Sequence, residues 1–136
     1  VLAARGSEHA LVVHGGDRLD EITTTDLTRI YEVRDGQVVG ETEFDPESIG
    51  IPRVTRAQLQ GGTPEDNATI MRNLFEGEDK GPRADIVALN AAAGLLVAGV
   101  VDDLGSGVEV ARDAISNGSA ATKLAEVLDM SNELAS

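Results

Sequence analysis

The chain has 136 residues, enough for one domain with a buried core, and no cysteine, which excludes disulfides and thiolate metal sites and suits a reducing cytoplasm. Its net charge of −13 argues against a nucleic-acid or anionic-membrane surface, since both need clustered Lys and Arg. Tyr31, Phe44 and Phe75 are its aromatic residues, too few for a base-stacking platform, and the acidic excess reads first as solubility.

The chain opens on Val1, and residues 1–6 read like the end of an element already under way, so a piece of a longer protein is expected. No basic start leads into an apolar run and a small-residue cleavage site, so no secretory signal is read. The first half then reads as β. Residues 9–14 are nearly continuous apolar sequence, which suits a strand covered on both faces. Residues 28–33 and 37–44 pair as a hairpin across Arg34-Asp35-Gly36, because Asp-Gly between β-branched residues is a strong turn signal. Asp45-Pro46-Glu47 ends the hairpin and starts a turn or short helix.

The second half reads as α. Thr63 caps a helix with Pro64 in its first turn and Asp66 completing a capping-box pattern; Ala68, Ile70, Met71, Leu74 and Phe75 form its apolar face, and Gly77 stops it. Gly81-Pro82 introduces an apolar helix over 83–101, whose small residues leave room for a close neighbour. Its uncharged stretch, 86–101, falls short of the roughly 20 residues a membrane span needs, so it reads as a buried core helix. A polar break at 102–106 precedes a helix over 107–116 that stops at Asn117-Gly118. Ser119 then caps a last helix with Leu124, Val127 and Leu128 facing inward. The expected fold class is α/β, strands first and helices after.

Chemistry concentrates between residues 11 and 24. A short apolar strand runs into Gly15-Gly16, and the acidic pair Asp20-Glu21 follows. Ligand chemistry in α/β proteins collects where strands end, and two carboxylates there suit a hard cation that completes its shell with water and phosphate oxygens. The alternative is a solvated loop whose acids favour the start of a following short helix. His14 is a candidate general base or, alternatively, a histidine bonded to backbone; the threonines 23–25 read as structural. Gly61-Gly62-Thr63 reads as a turn plus cap, with anion binding at the helix start as the alternative. Asn90, in an apolar helix, is expected to satisfy a neighbouring backbone group.

Several segments, in order, resemble the C-terminal part of the anthranilate phosphoribosyltransferase family: residues 10–15 with Leu19-Asp20-Glu21, Gly61-Gly62 with Asp66-Asn67-Ala68, residues 89–93, and residues 114–120. The resemblance covers essentially the whole chain, 1–136, as the C-terminal portion of a phosphoribosyl-transfer α/β domain. It implies a nucleoside-phosphorylase/phosphoribosyltransferase-type fold and transfer of the 5-phosphoribosyl group from phosphoribosyl pyrophosphate (PRPP) to anthranilate. Pyrophosphate would be released, in tryptophan biosynthesis, by a cytoplasmic homodimer that engages neither nucleic acid nor membrane. By matching motif, Asp20 and Glu21 would help hold Mg2+ on the pyrophosphate. The family's glycine-rich loop, basic residues and anthranilate-binding residues lie upstream of anything in this chain, so the polypeptide alone is expected to be inactive. Gly16-Asp17-Arg18 departs from the more acidic or glycine-containing turn expected there. A pyrimidine-nucleoside phosphorylase relative and a non-catalytic binding paralogue on the same scaffold are the alternatives.

Overall fold

The computed structural model describes residues 1–135. A 3-10 turn, Ala3–Arg5, leads into three strands, β1 (His9–Gly15), β2 (Thr28–Arg34) and β3 (Gln37–Phe44). A second 3-10 turn, Pro46–Ile49, precedes five helices: α1 (Arg56–Leu59), α2 (Pro64–Phe75), α3 (Pro82–Val97), α4 (Leu104–Ser116) and α5 (Ser119–Ala135). The α/β reading, strands first and helices after, holds. Among the described residues no helix is long and apolar enough to cross a membrane.

The sheet is an antiparallel meander in the order β1-β2-β3, with Gly15 opposite Thr28 and Val12 opposite Tyr31. The β2–β3 turn is the expected one. Asp35 and Gly36 both lie at positive φ, 49° and 73°, so a tight turn matches the twist of the strands it joins. Strand β1 departs from the expectation of cover on both faces: Leu11 and Val13 pack against the core, but Val12 is 47% exposed. An edge strand of an antiparallel sheet rests one face on its helices, and alternate side chains on the other stay open.

The helix boundaries follow their caps. Thr63 and Asp66 form the anticipated capping box on α2. Helix α3 stops at Val97 rather than 101 because Gly99, at φ 68°, turns the chain; its N–H donates to the Leu96 carbonyl and that of Val100 to the Leu95 carbonyl. Helix α4 starts at Leu104 rather than 107 because Asp103 accepts from the Ser106 N–H at 2.8 Å. Ser119 is the first residue of α5 rather than its cap, and its N–H donates to Asn117 Oδ1 at 2.9 Å. Val127 and Leu128 do not face inward. They are 57% and 49% exposed, since partial burial along α5 ends at Leu124.

Ile22, Ile30, Ile51, Ala88, Leu89, Ala92, Val108 and Ala111 make the core, so sheet, loop, α3 and α4 share one apolar interior. The small residues anticipated in α3 serve this packing. A Cβ on Gly107 of α4 would come within 2.7 Å of Ala92 Cβ and 2.9 Å of its Cα. Gly-to-Ala in an exposed helix interior gains up to about 1 kcal/mol. At Gly107 the overlap should reverse that sign: Gly107→Ala is expected to lose about 1–3 kcal/mol in chemical denaturation. Unchanged or raised stability would show that α3 and α4 do not approach this closely.

Candidate metal site on the β1–β2 loop

Residues 16–27 join β1 to β2, and two backbone bonds close the base of this loop. The Gly15 N–H donates to the Leu19 carbonyl at 2.9 Å, and the Gly16 N–H to the Leu27 carbonyl at 2.7 Å. Inside, Asp17 organises the turn. Its Oδ1 accepts from the Leu19 N–H at 3.1 Å, and its Oδ2 accepts from the hydroxyls of Thr23 at 3.0 Å and Thr25 at 2.5 Å. Thr23 is fully buried, and its hydroxyl is satisfied by the Asp17 carboxylate together with the N–H and hydroxyl of Thr25. The threonine run is structural, as its sequence suggested. Arg18, in the turn where a more acidic or glycine-containing sequence was expected, sits at φ 73°, a left-handed conformation that glycine adopts most easily.

Asp20 and Glu21 stand at the exposed crest of this turn. The next residue, Ile22, is 0% exposed and belongs to the core. Its N–H donates to Asn90 Oδ1 at 2.9 Å, and Asn90 Nδ2 donates back to the Ile22 carbonyl at 2.8 Å and to the Ile86 carbonyl at 3.0 Å. Asn90 thus does what its position in an apolar helix led one to expect, and its partner is the loop that carries the acidic pair.

The electrostatics set Asp17 apart from Glu21. Burial pushes the Asp17 carboxyl up, but the bonds from Thr25, Leu19 and Thr23 and the charge of Arg56 outweigh it and hold it below the usual aspartate value. Glu21 goes the other way: burial raises it, and the charges of Asp20 and Asp17 raise it further. A carboxylate opposed by two neighbours of its own sign is one that a cation would relieve. Among the described residues no cluster of three or more His, Cys, Asp or Glu could form an all-protein metal cage. Magnesium does not need one, because one or two carboxylates plus water and phosphate oxygens suffice. The hard oxygen donors of Asp20 and Glu21 fit that chemistry.

Glu21 also borders a groove of about 280 Å³ whose apolar wall includes Leu59, Ile70, Leu74 and Phe75 and whose rim carries Asn67 and Arg83. His14 is not brought to this place. It lines a separate recess with Gly16, Asp26, Leu27, Arg29 and Glu43. His9, towards the other end of β1, bonds Glu32 at 3.0 Å. Gly61 and Gly62 behave as turn and cap: Asn67 Oδ1 takes the Gly62 N–H at 2.9 Å, and a Cβ on Gly61 would overlap that side chain. The residue that sequence reasoning passed over is Asp17; the signal present was two threonine hydroxyls, at 23 and 25, a few residues beyond an acid.

Two outcomes follow. Asp17→Ala should destabilise the chain by about 1–3 kcal/mol, because it removes the charged acceptor shared by the Thr23 and Thr25 hydroxyls and the Leu19 N–H. The folded-state value of Asp17 is depressed, so this stabilisation is fully present above the unfolded value of about 4 and is lost as pH falls through the folded one. Glu21→Gln should do the reverse and raise the melting temperature at pH 7. A raised folded value means the ionised form opposes folding above it, and the gain should vanish at low pH, where Glu21 is protonated in both states. Melting curves from pH 3 to 7 check both; equal melting temperatures for Glu21→Gln and the parent at pH 7 would remove the account in which burial and like charge oppose ionised Glu21.

A family model described as the glycosyl transferase family, a/b domain, matches residues 1–121. The anthranilate phosphoribosyltransferase of Thermoanaerobacter sp. (strain X514) is 47% identical over 134 residues, covering 98% of this chain and 39% of its own. That of Acetivibrio thermocellus is 44% identical over 136 residues, covering 100% and 39%. The crystal structure of anthranilate phosphoribosyltransferase from Thermus thermophilus superposes with a TM-score of 0.78 at 40% identity, covering 87% of this chain and 34% of that one. The Saccharomyces cerevisiae enzyme in complex with PRPP and Mg, at 20% identity and a TM-score of 0.79, covers 88% and 34% and shares the fold. The resemblance drawn from the sequence motifs is borne out, and so is the phosphoribosyltransferase-type fold. The chain spans about two fifths of the length of these curated relatives.

Proposed function

This chain belongs to the glycosyl transferase family, a/b domain, and on that premise we propose that it is the C-terminal, metal-binding portion of an anthranilate phosphoribosyltransferase. The complete polypeptide would transfer the phosphoribosyl group of PRPP to the amine of anthranilate and release pyrophosphate. The observation that carries this reading is the acidic pair itself: Asp20 and Glu21 side by side on a loop closed by two backbone bonds, within a chain 47% identical to an enzyme of that name. The solved yeast relative with PRPP and Mg supports the choice of ion. We read the complete protein as a cytoplasmic homodimer of tryptophan biosynthesis on the same resemblance.

As the bond from ribose C1 to oxygen breaks, negative charge grows on the leaving pyrophosphate. Mg2+, when bound, supplies charge neutralisation and orientation for that group. Asp20 and Glu21 would hold the ion through their carboxylate oxygens. Asp17 leaves its oxygens on the threonines and keeps the turn in shape. An aromatic amine is already nucleophilic, so no side chain of this portion is needed as a covalent nucleophile, and positioning carries much of the remaining barrier.

The test is loss of anthranilate fluorescence in the upstream-extended protein, with PRPP and Mg2+ each omitted in turn. Loss that requires protein, PRPP and Mg2+ together is expected. In the same assay Asp20→Asn with Glu21→Gln should slow turnover by about 100-fold, equivalent to roughly 3 kcal/mol of barrier, with the fold intact by circular dichroism. Normal turnover with unchanged magnesium dependence in that double variant would rule out the metal role. No fluorescence loss from the folded parent would sink the assignment itself.

A further inference from the structure

We propose that Asn90 is a positioning residue for the metal pair: it sets the direction of the Glu21 carboxylate through the backbone of Ile22. The proposal rests on the reading of Asp20 and Glu21 as magnesium ligands.

The Ile22 N–H belongs to the peptide unit that begins at the Glu21 carbonyl, and a planar peptide moves as one body. Asn90 Oδ1 holds that N–H at 2.9 Å and so fixes the plane on the C-terminal side of Glu21. On the N-terminal side of the pair, the Leu19 carbonyl is held by the Gly15 N–H at 2.9 Å, which fixes the plane leading into Asp20. Freedom at the crest is thereby reduced to the peptide between Asp20 and Glu21 and the few torsions that flank it.

Asn90 is itself held by several bonds. Its Nδ2 donates to both Ile22 and Ile86 carbonyls, and its neighbour Leu89 is fully buried in α3, as is Ala92 close by. The two bonds to Ile22 also settle which end of the amide is oxygen, since an N–H can only donate and a carbonyl only accept. Ile22 closes the brace from below by placing its whole side chain in the core. The anchor comes from a helix 68 residues away in sequence. Groups behind metal ligands that fix their orientation commonly matter 10–100-fold for metal affinity.

The experiment measures Mn2+ binding in the presence of inorganic pyrophosphate, by electron paramagnetic resonance, on the upstream-extended protein without turnover. Asn90→Leu, similar in size but unable to bond Ile22, should bind Mn2+ about 10-fold more weakly. Asp103→Ala, which removes the α4 cap and lowers stability at a distance, should leave that affinity unchanged and thereby separates positioning from general destabilisation. Parental affinity in Asn90→Leu, with Glu21→Gln weakened, would overturn the positioning role and leave the metal reading standing. Parental affinity in Glu21→Gln as well, or no Mn2+ bound by the parent, would overturn the metal reading beneath it. Should Asn90→Leu fail to fold, amide exchange on the parent decides: coupling is reciprocal, so Mn2+ with pyrophosphate must slow exchange at the Ile22 N–H more than at amides of β3. Equal slowing would overturn the proposal.

Discussion

Everything at the crest of the β1–β2 loop depends on one buried residue and its backbone. Ile22 has no exposed surface, yet it lies in a segment without helix or strand to pair its N–H and carbonyl. A buried peptide group left unpaired costs more than a typical hydrogen bond gains, so the segment can enter the core only with a partner supplied from elsewhere. Asn90 is that partner. A single side-chain amide presents one acceptor and two donors, enough to imitate the edge of a strand at a place where no strand runs.

The same device appears a second time. Asn67 takes the Gly62 N–H and donates to the Gly62 carbonyl, closing the turn before α2 as Asn90 closes the loop before β2. The two differ in burial and consequence. Asn67 works at an exposed turn, where water could replace it at modest cost, whereas Asn90 serves a residue from which water is excluded. Glycine at 61 and 62 is the complement of the first clamp, since any side chain there would occupy the space of Asn67 or Asp66. Around the second, Ala92 and Gly107 let α3, the helix that carries Asn90, pack closely against α4.

Local chemistry was readable along the chain where it is local in the structure. Asp35-Gly36 dictated its turn, and Thr63, Pro64 and Asp66 their helix start, because each signal lies within four residues of its effect. Asp20-Glu21 was likewise legible as an exposed adjacent pair, because adjacency is a property of the sequence itself. Misjudged features involve non-local balance: cover on β1 depends on which sheet face the helices occupy, and the open side of α5 depends on where α2 and α4 end. Asp17 was passed over because its role lies in hydroxyl partners six and eight residues on, which nothing but the closed loop brings together. Asn90 was legible as a buried amide in want of a partner, but not the identity of that partner.

The loop gives two nearby acids, Asp17 and Glu21, opposite environments. A carboxylate that is fully hydrogen-bonded is a good structural element and a poor ligand, because a cation must compete with its donors. Asp17 has spent its oxygens on Thr23, Thr25 and the Leu19 N–H, and its ionised form is favoured without any metal. Glu21 has the opposite environment, and each charge that raises its proton affinity also raises the gain on meeting a divalent ion. Such a group weakens the fold that carries it when its charge stands uncompensated, so the backbone around it must be held by other means. The Gly15–Leu19 bond, Asp17 with its threonines, and Asn90 on Ile22 are those means. Bracing beneath the pair and the burial and like charge around Glu21 are therefore two parts of one arrangement: the first limits how the backbone that carries the pair can move, and the second makes a cation beside Glu21 favourable.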